Sequence, residues 1–418
     1  MVNFLAGRSM GRGGSPRRRK LLLAAAVGTC LGILCIFKYF DFFVLELTAL
    51  LHAVGFQASL PLLKVILPVG ISFYTFQTMS YTIDVYRGKA EPTDDFLDFA
   101  LFVSLFPQLV AGPIERFTRL MPQIQSPRSR RPGDFSEGLH YVLIGLFTKM
   151  VVADNMAGLV NAVFAAQPAE VTGADCLAAT YAFAFQIYGD FAGYSSIAIG
   201  VAKWLGFDLM QNFDMPYFAD TPSDFWRRWH ISLSSWLRDY LYIPLGGNRR
   251  GGGKTLRNLF LTMGLGGLWH GAGLTFIVWG LFHGLILCVY RLLGIDSSPK
   301  ARRKRPAWRN VIAILVMFHL ACLGWLFFRA TSLSQAVTML VKMSTDLHMT
   351  HLTIYVLSAI VFYCGPLMVF EGWLARKKDA MALSRTHWTA RAAVYGYAAI
   401  MLWFLGSPVT YEFIYFQF

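Results

Sequence analysis

Apolar stretches of roughly 20 residues recur along the whole chain, separated by short segments rich in Arg and Lys. A helix of about that length crosses the ~30 Å hydrocarbon core of a bilayer. The pattern predicts spans near residues 21–40, 43–60, 62–84, 97–114, 137–165, 175–205, 258–273, 274–293, 309–329, 351–373 and 391–409. That is an all-α, polytopic membrane protein of ten or eleven transmembrane helices with further re-entrant or interfacial pieces. No fixed-period repeat accompanies it, so an inverted-repeat transporter architecture has no support in the pattern.

Two regions depart from simple spans. Over residues 104–124 an apolar run is interrupted by Pro107, Gly112 and Pro113. Such backbone survives at membrane depth only where protein or water satisfies it, which predicts a kinked or re-entrant segment. Residues 222–247 mix Trp and Leu with Asp224, Arg227, Arg228, Arg238 and Asp239. Their i, i+3, i+4 spacing predicts an amphipathic helix at the interface or along a cavity, stopped at Pro244 to Asn248.

The start of the chain adds a basic segment. Arg17-Arg18-Arg19-Lys20 before the apolar run from Leu21 has the outline of a signal peptide. The run is long, however, and Phe37-Lys38-Tyr39-Phe40 follows with no small-residue cleavage site. This predicts a retained first span, a basic cytoplasmic tail over 1–20 and one membrane domain over 21–418.

Composition sharpens the class. Of 418 residues 55% are hydrophobic and only 15% charged, against roughly 25% charged in soluble proteins. The net charge of +14 invites a nucleic-acid reading, but its placement opposes that. Basic residues cluster between spans, at Arg17 to Lys20, Arg128 to Arg131, Arg249 to Arg257, Lys300 to Arg309 and Arg376 to Lys378. This is the distribution of cytoplasmic loops, and it implies membrane lipids and an anionic cosubstrate as partners, with no nucleic acid. The six cysteines form no CxxC and no metal spacing, and read as small buried hydrophobes.

Candidate chemistry rests on two histidines. His270 closes the run from Leu259 to Leu268 in Gly266-Gly267-Leu268-Trp269-His270-Gly271. His230 stands in Phe225-Trp226-Arg227-Arg228-Trp229-His230-Ile231-Ser232. A titratable imidazole at membrane depth is expensive and is a functional candidate by default. Histidine also takes and returns a proton near neutral pH. The alternatives are plain packing for His270 and an interfacial position for His230. The glycines around His270 favour close approach of a ligand or a second backbone. Asp224 and Asp239 are positioned to orient His230, which the amphipathic pattern makes accessible to water, whereas His270 should be drier. Asp190, inside an apolar span, must pair or neutralise. It partners either a cation in another helix or a site histidine. His283 is spaced as a structural helix residue, and the remaining histidines have no supporting constellation. No metal site is indicated, because no set of three or four ligands assembles. The segment Gly247 to Thr255 has the look of a phosphate-binding loop, but five residues separate Gly247 from Gly253 and no strand precedes it. A flexible basic loop, with Arg249, Arg250 and Lys254 attracting an anionic donor, fits better.

At these residues the chain resembles the membrane-bound O-acyltransferase family, in particular its bacterial alginate O-acetyltransferase type. The resemblance runs over almost the whole chain: Pro68 to Phe76, Ala111 to Phe117, Lys149 to Asn155, Gln186 to Ser195, Gly206 to Phe213, Phe225 to Arg249, Leu268 to Ala272, Trp325 to Ala330 and Tyr415 to Phe418. It is similar, less closely, to the D-alanyl transfer proteins of teichoic acid modification. The resemblance implies that His270 matches the family's catalytic histidine and His230 its second functional position. Trp269, Asp190 and Asn248 are then candidate supporting or tunnel residues. It implies a funnel-like fold with a tunnel joining the two membrane faces. One or more further hydrophobic segments usually precede the span at 21–40 in such proteins; here a basic stretch, Arg8 to Lys20, stands there.

The expected function is O-acyl transfer in a bacterial inner membrane. A cytosolic acetyl donor, acetyl-CoA as substrate with no resident cofactor, would serve O-acetylation of an exported, alginate-like polysaccharide. The immediate acceptor is either the polymer or a periplasmic acetyltransferase partner. Direct transfer with His270 as general base and a covalent acetyl-His relay both remain open. A family member acting on peptidoglycan, teichoic acid or lipid is a further reading, and a flippase for a lipid-linked sugar is the alternative from another class.

Overall fold

The computed structural model describes residues 1–65, 68–109, 112–128, 131–249, 251–295, 298, 302, 305–409 and 411–414. These form helices joined by turns, with no strand among the described residues. Among the described residues five helices are long and apolar enough to cross a membrane. Here they are α2 (Pro16–Ala53), α7 (Asp134–Ala165), α12 (Leu274–Leu292), α13 (Ala307–Arg329) and α15 (His351–Lys377). Between and around them lie α1 (Val2–Gly11), α3 (Ile71–Tyr86), α4 (Phe96–Ser104), α5 (Phe106–Leu109) and α6 (Phe117–Gln125). The second half adds α8 (Gly173–Trp204), α9 (Pro222–Arg228), α10 (Ile231–Leu237), α11 (Gly252–His270), α14 (Leu333–Thr345) and α16 (Trp388–Leu405).

The hub is α8. It is buried around most of its circumference and packs against α7, α13, α14 and α15. A capping box between Thr172 and Asp175 starts it. Its 32 residues reach ~48 Å at 1.5 Å per residue, longer than the hydrocarbon core. Small residues let α7 close on it. A Cβ at Gly193 would stand 2.8 Å from the Gly145 carbonyl oxygen, and one at Gly200 2.5 Å from that of Gly138. Backbone-to-backbone packing through glycine is how apolar helices gain contact where lipid offers no hydrophobic drive.

Several boundaries differ from expectation. The spans expected at 21–40 and 43–60 are one continuous helix, α2, with a π turn over Cys35–Tyr39. The helix expected over 62–84 begins only at Ile71. Residues 62–65 and 68–70 are non-helical, and the first of these stretches is tied back to α2, where Asp41 accepts the backbone N–H groups of Leu63 and Lys64 at 2.8 and 3.0 Å. The span expected at 97–114 is two short helices, α4 and α5, parted at Leu105, in keeping with the kink expected around Pro107. Residues 110 and 111 lie outside the described residues. At the N-terminus, 2–11 is a helix rather than a bare tail. Phe4 and Met10 are buried, and Asn3 accepts the Thr82 hydroxyl at 2.7 Å. The amphipathic helix expected over 222–247 is broken into α9, α10 and a π turn over Arg238–Tyr242.

The basic stretch before α13 docks onto the N-terminal end of α9. Arg302 reaches Asp220 at 3.7 Å and Asp224 at 3.5 Å, and Arg305 reaches Asp220 at 3.5 Å. Residues 299–301, 303 and 304 of that run are outside the described residues. From its charge density this end is expected to face the cytoplasm. A Ser298→Cys variant is therefore expected to resist an impermeant maleimide applied to intact cells and to react in inverted vesicles. Labelling from outside would reverse the orientation.

Candidate active site

His270 is the last residue of α11, and the chain turns through Gly271 to Gly273 into α12. The two helices form a tight antiparallel pair, because Gly267 and Gly280 meet at the crossing. A Cβ at Gly267 would fall 2.2 Å from the Phe276 carbonyl oxygen, and one at Gly280 2.3 Å from that of Met263. The imidazole of His270 is 4% exposed. Its walls are aromatic edges and faces: Trp279 at 4.9 Å and Phe328 at 5.5 Å between ring centroids. Trp269 is buried beside it, against Phe73 and Phe76.

His230 sits at the break between α9 and α10, in the left-handed region at φ 43°. Residues other than glycine rarely adopt that conformation, and it persists only where the surroundings hold it. Asn212 supplies the hold. Its backbone carbonyl accepts the Ile231 N–H at 2.8 Å. Its side-chain Oδ1 accepts the Ser232 N–H at 3.3 Å and the Ser232 hydroxyl at 2.9 Å. Those donors fix which end of the amide faces the break, so the 3.1 Å contact to His230 Nδ1 is donated by the imidazole. In the neutral ring the lone pair is then on Nε2. Phe191, Phe73 and Phe213 surround the ring at 4.6, 6.2 and 6.4 Å. The centroids of His230 and His270 are 6.5 Å apart. Two histidines forty positions apart in sequence thus share one buried aromatic chamber.

Two expectations about His230 are corrected. It is fully buried, not the wetter of the pair, because the break in the helix turns it inward. Neither expected carboxylate orients it. Asp224 pairs with Arg228 at 2.9 Å and with Arg227 and Arg302, while Asp239 pairs with Arg238 at 2.8 Å and Arg116 at 3.9 Å. Asn212 does the orienting, and no periodicity pointed to it. Asp190 pairs with a cation from another helix. Lys149 on α7 lies 2.5 Å from Asp190 and 2.7 Å from Asp154, and Asp190 also accepts the Ile414 N–H at 2.6 Å. Asn248 accepts the Tyr242 hydroxyl in the turn before α11. Arg249 and Lys254 are exposed there, and Arg250 is outside the described residues. Helix α11 has 19 residues, so this loop is ~27 Å from His270 along the axis. It can draw in a donor but cannot touch the reacting atoms. His283 is fully buried, with Phe225, Trp226 and Trp279 around it.

One contact to the His270 turn was not foreseen. On α2, the Lys38 ammonium donates to the backbone carbonyls of Trp269 and His270 at 2.9 and 2.8 Å, and the Tyr39 hydroxyl to that of Leu268 at 3.0 Å. A lysine inside an apolar run is itself the signal that points to such a contact.

The model of the membrane-bound O-acyltransferase family matches residues 89–329, which contain both histidines. The chain belongs to that family. It is 45% identical over 340 residues to the probable alginate O-acetylase AlgI of Pseudomonas putida, covering 81% of this chain and 67% of that protein. It is 37% identical over 348 residues to the peptidoglycan O-acetyltransferase of Helicobacter pylori, covering 77% and 64%. Against the teichoic acid D-alanyltransferase of Bacillus subtilis the identity is 27% over 280 residues, covering 62% and 68%. The chain thus spans about two thirds of the length of these relatives. Membership and the five apolar helices make it a multi-pass membrane protein, all-α in class.

Proposed function

We propose that this protein is a membrane-embedded O-acetyltransferase that passes acetyl groups from a cytosolic thioester, acetyl-CoA, toward an exported alginate-like polysaccharide in a bacterial inner membrane. The observation that carries the reading is the pair of buried imidazoles 6.5 Å apart in a member of an O-acyltransferase family. A thioester already has a good leaving group, so the chemical need is an activated hydroxyl. His270 takes the acceptor's proton as its oxygen bonds to the acetyl carbon. The tetrahedral oxyanion collapses, the C–S bond breaks, and the imidazolium returns the proton to the thiolate. His230, held by Asn212 through Nδ1–H, presents its Nε2 lone pair, which can accept a hydrogen bond from the acceptor hydroxyl and so position it; steadying the oxyanion from Nε2 would require the protonated ring. The aromatic walls keep water from hydrolysing the donor. The immediate acceptor is the polymer or a periplasmic acetyltransferase that carries the group onward.

Proteoliposomes given labelled acetyl-CoA on the cytoplasmic side and polymer with its export partners on the other test this directly. Stoichiometric release of free CoA with label in polymer esters is expected. Movement of a lipid-linked sugar without acyl turnover would replace the enzyme reading by a flippase. In the same preparation His230→Ala is expected to keep donor binding while lowering kcat/KM for the acceptor by ~10²-fold, the scale for a misplaced reacting group. Full activity would return His230 to a packing role.

A further inference from the structure

We infer that Lys38 is a positioning residue for the acyl-transfer site, a clamp by which α2 holds the catalytic turn of α11. Four carbonyls at the end of any helix lack an intrahelical partner. In water they are solvated; at membrane depth each must find a donor in the protein. At the end of α11 three of the four, those of Leu268, Trp269 and His270, are bonded by adjacent residues of α2, Tyr39 and Lys38. Gly271 and Gly273 immediately follow and are extended, so the chain beyond His270 brings no helical continuation to stiffen it.

The placement on α2 is specific. Both donors fall in its π turn, Cys35–Tyr39. π bulges inside α-helices concentrate at functional sites, because the extra residue re-aims side chains. Much of the rest of α2 faces outward. The cation also matches the local charge: a helix C-terminus carries partial negative charge, and an ammonium within hydrogen-bond distance of its carbonyls is held there electrostatically. No carboxylate is needed to explain a lysine at this depth. The Nζ atom spends two of its donors on the backbone of the catalytic histidine and its neighbour, and through them sets where the imidazole of His270 stands relative to His230. Because α2 holds the last turn of α11 by these bonds, displacement of α2 is also a displacement of His270.

The role rests on the acyl-transfer reading for its kinetic consequence but not for its structural one, and the test separates them. Full-length wild type, Lys38→Met, Lys38→Arg and Tyr39→Phe are compared in the same lipid nanodiscs. Amide hydrogen exchange of peptides covering 264–271 is followed alongside acetyl-CoA turnover. Lys38→Met is expected to speed exchange in the last turn of α11 alone. It should lower kcat by ~10²-fold, the scale for ångström misplacement of a reacting group, with the donor KM within about twofold of wild type. Lys38→Arg, which keeps the charge and the donors, should restore both readouts in large part. Tyr39→Phe loses one bond of three and should show a smaller change of the same kind, which keeps the clamp testable if Lys38→Met does not accumulate. Unchanged exchange at 264–271 in Lys38→Met and Tyr39→Phe overturns the clamp. So does faster exchange spread over the whole molecule, or a raised KM with kcat intact, since those mark a global or donor-binding role. If wild type itself shows no turnover, the acyl-transfer reading fails while the exchange data still decide the clamp.

Discussion

His270→Ala should stop acetyl transfer while leaving the protein inserted and folded. The imidazole is buried among Trp269, Trp279 and Phe328, and removing a positioned general base costs ~10²–10⁴ in rate. Truncation leaves a small cavity whose cost falls on a helix end already held by Lys38 and Tyr39, so accumulation should be near normal. The measurement pairs polymer ester content in cells with the amount of protein in membranes. Donor binding should persist, because the mutation removes a proton acceptor and not the path by which the donor enters. Near-normal acetylation would sink the assignment of His270 as the base. Acetyl-enzyme trapped in wild type but not in the variant would favour the relay through an acyl-histidine over direct attack.

Long apolar runs were legible because bilayer thickness fixes their length. The helices α7, α8, α12, α13 and α15 fall within a few residues of the predicted spans. Errors cluster where tertiary contacts override the run. Hydropathy cannot distinguish one long α2 from two short spans, because the π turn at Cys35–Tyr39 needs no polar break. It cannot foresee that Asp41 holds 63–64 out of helix. The break at Trp229–His230 is the same lesson at the site. The i, i+3, i+4 pattern of 222–247 is real, and each half is helical. But Asn212, about eighteen residues upstream, offers the backbone a better set of bonds than continuing the helix. That single substitution of partners turns His230 from an interfacial residue into a buried one. The two histidines were readable as residue types in unusual surroundings; their orienting groups, Asn212 for one and Lys38 for the other, lie on distant segments and carry no local periodic signal.

Lys149→Met should be more damaging than Asp190→Asn, although the two residues form one buried pair. Lys149 lies between two carboxylates, Asp190 at 2.5 Å and Asp154 at 2.7 Å, both almost fully buried. Removing the ammonium leaves two carboxylates facing each other without their cation. Breaking a buried pair from one side costs ~3–5 kcal/mol, because a charge is left uncompensated. Asp190→Asn instead leaves Lys149 paired with Asp154, but the amide has one acceptor oxygen where Asp190 uses two, one toward Lys149 and one for the Ile414 N–H at 2.6 Å. That change should cost ~1–3 kcal/mol, the range for a buried donor left without its acceptor. Thermal unfolding of the purified proteins in one detergent, read by loss of the monodisperse peak on size exclusion, ranks them. The expected order is wild type, then Asp190→Asn below it, then Lys149→Met far below or absent. Asp190→Asn also separates the two roles open to this aspartate. As a structural partner it leaves acetyl transfer intact in proportion to folded protein. As a group serving the histidines through Phe191, which touches His230 at 4.6 Å, it loses turnover while the protein stays folded. An Asp190→Asn protein with wild-type stability and no activity would move Asp190 from the scaffold into the site.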